Sequence, residues 1–165
     1  MAALTTGTLA PEFTLPKTDG KEFSLTDALQ RGPVVAAFFK VSCPVCQYTF
    51  PFIERLYQAY QNQGVTIVGV SQNDRKDTLR FMKEYGITFP VLLDDTKSYP
   101  ASNAYGLTNV PTIFWISPDR QIEISSVGWS RADMEQINQR MADTADKRQA
   151  PLFLAGEDVA DFRAG

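Results

Sequence analysis

The sequence predicts an α/β domain, with a central mixed sheet flanked by helices and a β-hairpin ahead of it. Three observations predict it. Residues 34–39 and 65–70 are near-continuous apolar runs, as in strands covered on both faces. Each is followed by a stretch with apolar residues at helical spacing. Two later apolar runs, 113–116 and 122–127, flank a Pro118-Asp119-Arg120 turn and read as an antiparallel pair, which makes the sheet mixed. At 165 residues the chain is long enough to bury one proper core.

In chain order, short alternating runs around Phe13-Thr14-Leu15 and Glu22-Phe23-Ser24 enclose Asp19-Gly20, a hairpin turn signal. Residues 25–30 suit a short helix ending at Gly32. The first buried strand, 34–39, runs into Cys43-Pro44-Val45-Cys46. A helix follows to about Gln61, with Phe50, Ile53, Leu56, Tyr57 and Tyr60 on its apolar face. Pro51 lies inside it and predicts a lost hydrogen bond and a kink between residues 47 and 51. Gly64 is the expected stop. After the second strand, Asn73 or Asp74 would cap a helix that carries Leu79, Met82 and Tyr85 as its apolar residues and stops at Gly86. Residues 90–93 read as a strand and 98–105 as a brief helix closed by Gly106. Ser130 would cap a last helix over 131–147, with Lys147 and Arg148 at its negative end. Residues 1–149 thus form one domain. Residues 150–165, with Leu152, Phe153, Leu154, Val159 and Phe162, are too apolar for a floating tail. They predict an arm packed on the domain or reaching a partner subunit.

The chemistry-bearing feature is the pair Cys43 and Cys46, the only cysteines in the chain. They sit where a buried strand gives way to a helix, the arrangement of a redox pair. Unpaired N–H groups and a partial positive charge at the helix start favour a thiolate at the first cysteine. The second, three residues on, lies on the same side and can attack a mixed disulfide held by the first. Lys40, three residues before Cys43, could assist with its charge, although a solvated lysine at a strand end explains it equally well. Tyr48, Trp115 and Trp129 could line a binding surface, but aromatics at such spacings usually belong to the core.

Composition removes other chemistries. The chain has no histidine, which excludes Ser-His and Cys-His nucleophiles and any His-bearing metal site. Its net charge of −3 leaves no basic footprint for nucleic acid. No apolar run is long enough for a membrane span. The first residues show no basic and apolar leader, which points to the cytoplasm, or to the periplasm if a leader has been removed.

With these residues in place, the sequence resembles the thioredoxin-like superfamily, most closely its TlpA-like and AhpC/TSA-type thiol–disulfide oxidoreductases. The resemblance rests on Leu9-Ala10-Pro11-Glu12-Phe13-Thr14-Leu15, Cys43-Pro44-Val45-Cys46 and Pro51. It extends to Phe89-Pro90-Val91-Leu92-Leu93-Asp94, Tyr105-Gly106-Leu107 and Val110-Pro111-Thr112. It implies a thioredoxin fold with an N-terminal β-hairpin extension. It also implies catalytic roles for Cys43 as nucleophile and Cys46 as resolving thiol. Pro111 would be a cis-proline facing the pair, and the Val110 backbone would bind an extended substrate. No cofactor is implied. The implied partners are a protein or small-thiol disulfide and an external reductant or oxidant that recycles the pair; the chain itself would be a monomer or weak homodimer.

The departures are specific. Ser42 stands where relatives usually carry tryptophan. Thr49 and Ala37 stand where acids that move the proton of the buried cysteine are found in the TlpA-like branch and in thioredoxin. Two alternatives remain. A peroxiredoxin-like thiol peroxidase would want Thr or Ser three residues before its reactive cysteine, where Lys40 precedes Cys43 and Cys43 precedes Cys46. A thiolate metal-binding module could take Cu(I) on the two sulfurs, although copper-handling relatives normally add a histidine.

Overall fold

The computed structural model describes residues 2–165. An antiparallel hairpin, β1 (Thr14–Pro16) and β2 (Glu22–Ser24), leads into α1 (Leu25–Leu29), whose N-cap Ser24 accepts from the Asp27 N–H. Then come β3 (Val34–Phe39), α2 (Pro44–Tyr60), β4 (Thr66–Ser71), α3 (Arg75–Tyr85), β5 (Val91–Leu93) and α4 (Pro100–Ala104). The chain continues with β6 (Thr112–Ile116), β7 (Ile122–Val127), β8 (Trp129–Ser130), α5 (Arg131–Ala145) and β9 (Phe162–Arg163). The central sheet runs β5-β4-β3-β6-β7, parallel from β5 to β3 and antiparallel from β3 to β7. This is the expected thioredoxin-type mixed sheet with its hairpin extension. No helix among the described residues is long and apolar enough to cross a membrane.

All six residues of β3 are buried, and they alternate between two cores. Val35, Ala37 and Phe39 face α2, α3 and α5. Val34, Ala36 and Phe38 face the hairpin, α1 and α4. On the first side Phe39 stacks on Phe50 of α2 at 4.3 Å and on Phe81 of α3 at 4.9 Å, and Phe50 reaches Phe89 at 5.8 Å. On the second, Tyr105 packs against Phe13, Phe38 and Phe114, and its hydroxyl donates to the Pro11 carbonyl at 2.7 Å.

Two expectations need correction. The face of α3 that turns inward carries Thr78 and Phe81, while Leu79 is exposed. Thr78 belongs inside because its hydroxyl meets Ser71 at 2.7 Å, so a polar pair satisfied in place outranks a leucine one residue out of phase. The last helix stops at Ala145, capped by Asp146 in the left-handed conformation, so Lys147 and Arg148 lie beyond its last turn. Helix α2 continues through Pro51, which, as expected, has no N–H to offer the Gln47 carbonyl.

Residues 150–160 lie along α2 and α5. Leu152 and Val159 are buried in the first core, and Phe153 packs on Phe52 at 5.6 Å. Ala150 donates its N–H to the Tyr60 hydroxyl, and its carbonyl accepts from Asn138 Nδ2. Arg55 holds Glu157 with two bonds of 2.7 Å and also donates to the Leu152 carbonyl at 3.0 Å.

Replacing Phe50 with alanine removes a fully buried ring at the centre of the aromatic cluster and should cost about 3–5 kcal/mol, read by urea denaturation. The Arg55 guanidinium holds the Glu157 carboxyl down at about 2. A carboxyl lowered on folding stabilises above its ordinary value near 4.5 and loses that contribution as pH falls towards about 2. Glu157→Gln should therefore be less stable than the parent at neutral pH, and denaturation at stepped pH should show the difference closing through that window.

Candidate active site

Cys43 is the N-cap of α2, with an extended backbone (φ −83°, ψ 116°) that frees its side chain to fold back over the first turn. Its Sγ accepts the Cys46 N–H at 3.1 Å. Pro44 at the next position has no N–H to satisfy and begins the helix with its φ already set. The sulfur also lies 3.4 Å from the Val110 carbonyl, to which the thiol form can donate. Cys43 is half-buried. The loop before it is pinned at Val41, whose N–H donates to Asn73 Oδ1 at 3.0 Å and whose carbonyl accepts from Gln47 Nε2 at 2.9 Å.

Cys46 sits one turn deeper and is fully buried. Burial first, and then its hydrogen bond with the Cys43 sulfur, push its thiol far above the ordinary cysteine range. Both cysteines are free thiols in this structure. The pair is therefore asymmetric by position, with one sulfur at the helix tip and the other in the core.

The Val110–Pro111 peptide bond is cis. Thr112 Oγ1 donates to the Asn109 carbonyl at 2.8 Å, and Gly128 N–H donates to the Pro111 carbonyl at 2.7 Å, so the segment is tied on both sides. The register that pairs Phe38 with Thr112 brings this segment opposite the cysteines. Lys40 is exposed at the end of β3 and shares a shallow polar cleft with Gln72, Thr108, Asn109 and Val110.

The positions without acids are filled by inert groups. Ala37 is buried between Gly69 and Ile113 on the neighbouring strands. Thr49 is buried too, and its hydroxyl is spent on the Val45 carbonyl at 2.7 Å. Trp115 and Trp129 are core residues. Tyr48 is half-buried and stands edge-on to Trp129 at 5.0 Å. Among the described residues no three Cys, Asp or Glu side chains gather as metal ligands would.

Sequence reasoning did not find the supports supplied by Asn73, Gln47 and Asn109, which are ordinary polar residues until the fold brings them together. It also did not find the last residues of the arm beside the site. There β9 pairs with β8, Arg163 lies 4.3 Å above the Tyr48 ring, and the Gly165 carbonyl accepts from Asn109 Nδ2 at 3.2 Å.

A Cys-X-X-Cys at the tip of a helix, on this sheet and facing a cis-proline, defines a thiol–disulfide oxidoreductase of the thioredoxin-like superfamily. The chain belongs to the AhpC/TSA family, which it matches over residues 6–125. It is 35% identical to the thiol-disulfide oxidoreductase ResA of Bacillus subtilis over 73% of this chain and 66% of that protein. It is 32% identical to the ResA of Geobacillus thermodenitrificans, over 81% of this chain and 76% of that one. Among solved structures, a thioredoxin-family thiol:disulfide interchange protein from Chlorobium tepidum superposes with a TM-score of 0.68 at 29% identity. That match covers 84% of this chain and 99% of the other.

The difference in depth between the sulfurs has a direct readout. Iodoacetamide at neutral pH should modify Cys43 and leave Cys46 at least about tenfold slower, since only an accessible thiolate reacts. Mass mapping of the native and unfolded protein would check this, and Cys46 should become reactive only on unfolding.

Proposed function

We propose that Cys43 is the nucleophile and Cys46 the resolving thiol of a cycle that exchanges electrons with protein or small disulfides. The observation that carries this reading is the Cys46 N–H aimed at the Cys43 sulfur, with the second sulfur buried one turn beneath. The Cys43 thiolate attacks one sulfur of the substrate. An S–S bond to Cys43 forms, the substrate bond breaks, and the departing sulfur takes a proton. Cys46 then loses its proton and attacks the Cys43 sulfur, releasing the second substrate thiol. Two electrons have passed to the substrate, and Cys43–Cys46 is left as a disulfide.

The proton of Cys46 goes to the departing substrate thiolate or to water, because Ala37 and Thr49 offer no base. The Val110 main chain beside Cys43 is the natural rest for a substrate in extended conformation, with Pro111 shaping that edge. An external dithiol reductant resets the pair. In the cytoplasm, the compartment this reading takes, thiols are kept reduced and the chain works as a reductase. The working unit is the thioredoxin-like domain of residues 1–149 with the arm of residues 150–165 packed on it, as a monomer or weak homodimer.

The test is the redox potential of the pair in glutathione or dithiothreitol buffers, with reduction of insulin and of a small disulfide alongside. A reversible couple between about −270 mV and about −120 mV is expected. Cys43→Ser should lower turnover at least about 100-fold, and Cys46→Ser should stall as a trapped mixed disulfide. Absence of a reversible couple, or peroxide consumed through Cys43 much faster than disulfides, would overturn the reading.

A further inference from the structure

We infer that residues 162–165 determine specificity: they lie across the Val110 side of the approach to Cys43, so small disulfides enter past them and a protein disulfide enters only when they move aside. The inference rests on disulfide exchange at Cys43 as proposed above.

The Val110 carbonyl is the group that the Cys43 sulfur touches, at 3.4 Å. Gly165 packs on that same carbonyl, so closely that a Cβ at position 165 would overlap both its oxygen and its carbon. The Gly165 carbonyl in turn accepts from Asn109. The main chain of the arm therefore occupies the ground immediately beside the nucleophile's own contact. A protein disulfide carries two backbones whose Cα atoms are about 4.4–6.8 Å apart, so both arrive with the sulfur under attack. A small aliphatic disulfide carries none, and the half-exposed sulfur is enough for it.

The segment is also built to leave. Up to Ala160 the arm is anchored, by buried Leu152 and Val159 and the Arg55–Glu157 pair. Ala160 N–H donates to the Tyr48 hydroxyl, and Trp129 Nε1 donates to the Ala160 carbonyl at 2.6 Å. From Asp161 onward every residue is exposed, including Phe162 at 62%. What holds these residues is a two-residue ladder with β8, close backbone packing of residues 163–165 on Gly128, one bond from Arg131 N–H to the Asp161 carbonyl, the Arg163 guanidinium over Tyr48, and Asn109. Lifting them withdraws no buried side chain of their own from the core, and the anchored stretch before them serves as the hinge.

The experiment compares the full chain with a form ending at Asp161, using insulin and bis(2-hydroxyethyl) disulfide as substrates. If the segment is closed about 90% of the time, its removal should raise kcat/KM for insulin about tenfold and leave the small disulfide within about twofold. Arg163→Ala keeps the full length and should give a smaller gain in the same direction. Equal changes on both substrates, or no gain with insulin in either form, would overturn the inference. If the full chain turned over neither substrate, the exchange reading itself would fall and this inference with it.

Discussion

Confinement of β3 sets the position of everything at the site. Its six residues are buried and divide between two cores, with β4 on one edge and β6 on the other. A slip of one residue would turn Phe39 out of the aromatic cluster and drive Phe38 into it, exchanging the faces along the whole strand. The strand therefore cannot slide. The chain leaves it at one fixed point, reaches the N-cap of α2 at Cys43, and finds the cis-proline segment delivered opposite by the register of β6. The site is assembled from three segments, yet its geometry follows from one strand held on four sides.

The functional difference between two chemically identical side chains is then one of depth. The cysteines are three positions apart, just under one helical turn, and this places one sulfur at the capping position and the other against the core. The first is met by a helix N–H and a carbonyl; the second is enclosed by apolar neighbours that penalise its charge. With alanine and a hydrogen-bonded threonine at the positions where acids serve related proteins, burial acts on Cys46 with little to oppose it. In the proposed cycle, departure of its proton would then be the step most exposed to the substrate's own chemistry.

Much of this was legible in the sequence where the signal was local. The apolar run of β3 and the cysteine spacing located the redox pair, and Asp19-Gly20 located the hairpin. Ser130 caps the last helix as expected, and of the two candidates Asn73 and Asp74 it is Asp74 that caps α3. The failures lie where distant partners decide. Leu79 has the more apolar side chain, but only the fold reveals that Thr78 has Ser71 waiting for it. The apolar content of residues 150–165 announced packing, which holds for Leu152, Phe153 and Val159 but not for exposed Leu154 and Phe162, and it did not name Tyr60, Asn138 and Arg55 as hosts. Nothing local to Phe162-Arg163-Ala164-Gly165 says that the chain folds back on Val110, because that path is set by Trp129 and Tyr48, far away in sequence.

The two ends of the described chain share one neighbour. Ala2 lies against Gly106, where the backbone is left-handed and a Cβ would strike the Ala2 carbonyl, and Leu4 N–H donates to the Tyr105 carbonyl at 3.0 Å. Gly165 rests a few residues further along the same loop, on Asn109 and Val110. A polypeptide joined after Gly165 would thus start its path beside Val110 and the Cys43 sulfur, and one joined before Ala2 would start at the other end of the same loop. The length and stiffness of the joining segment would set the local concentration at which the pair meets whatever is attached, ahead of any affinity between them.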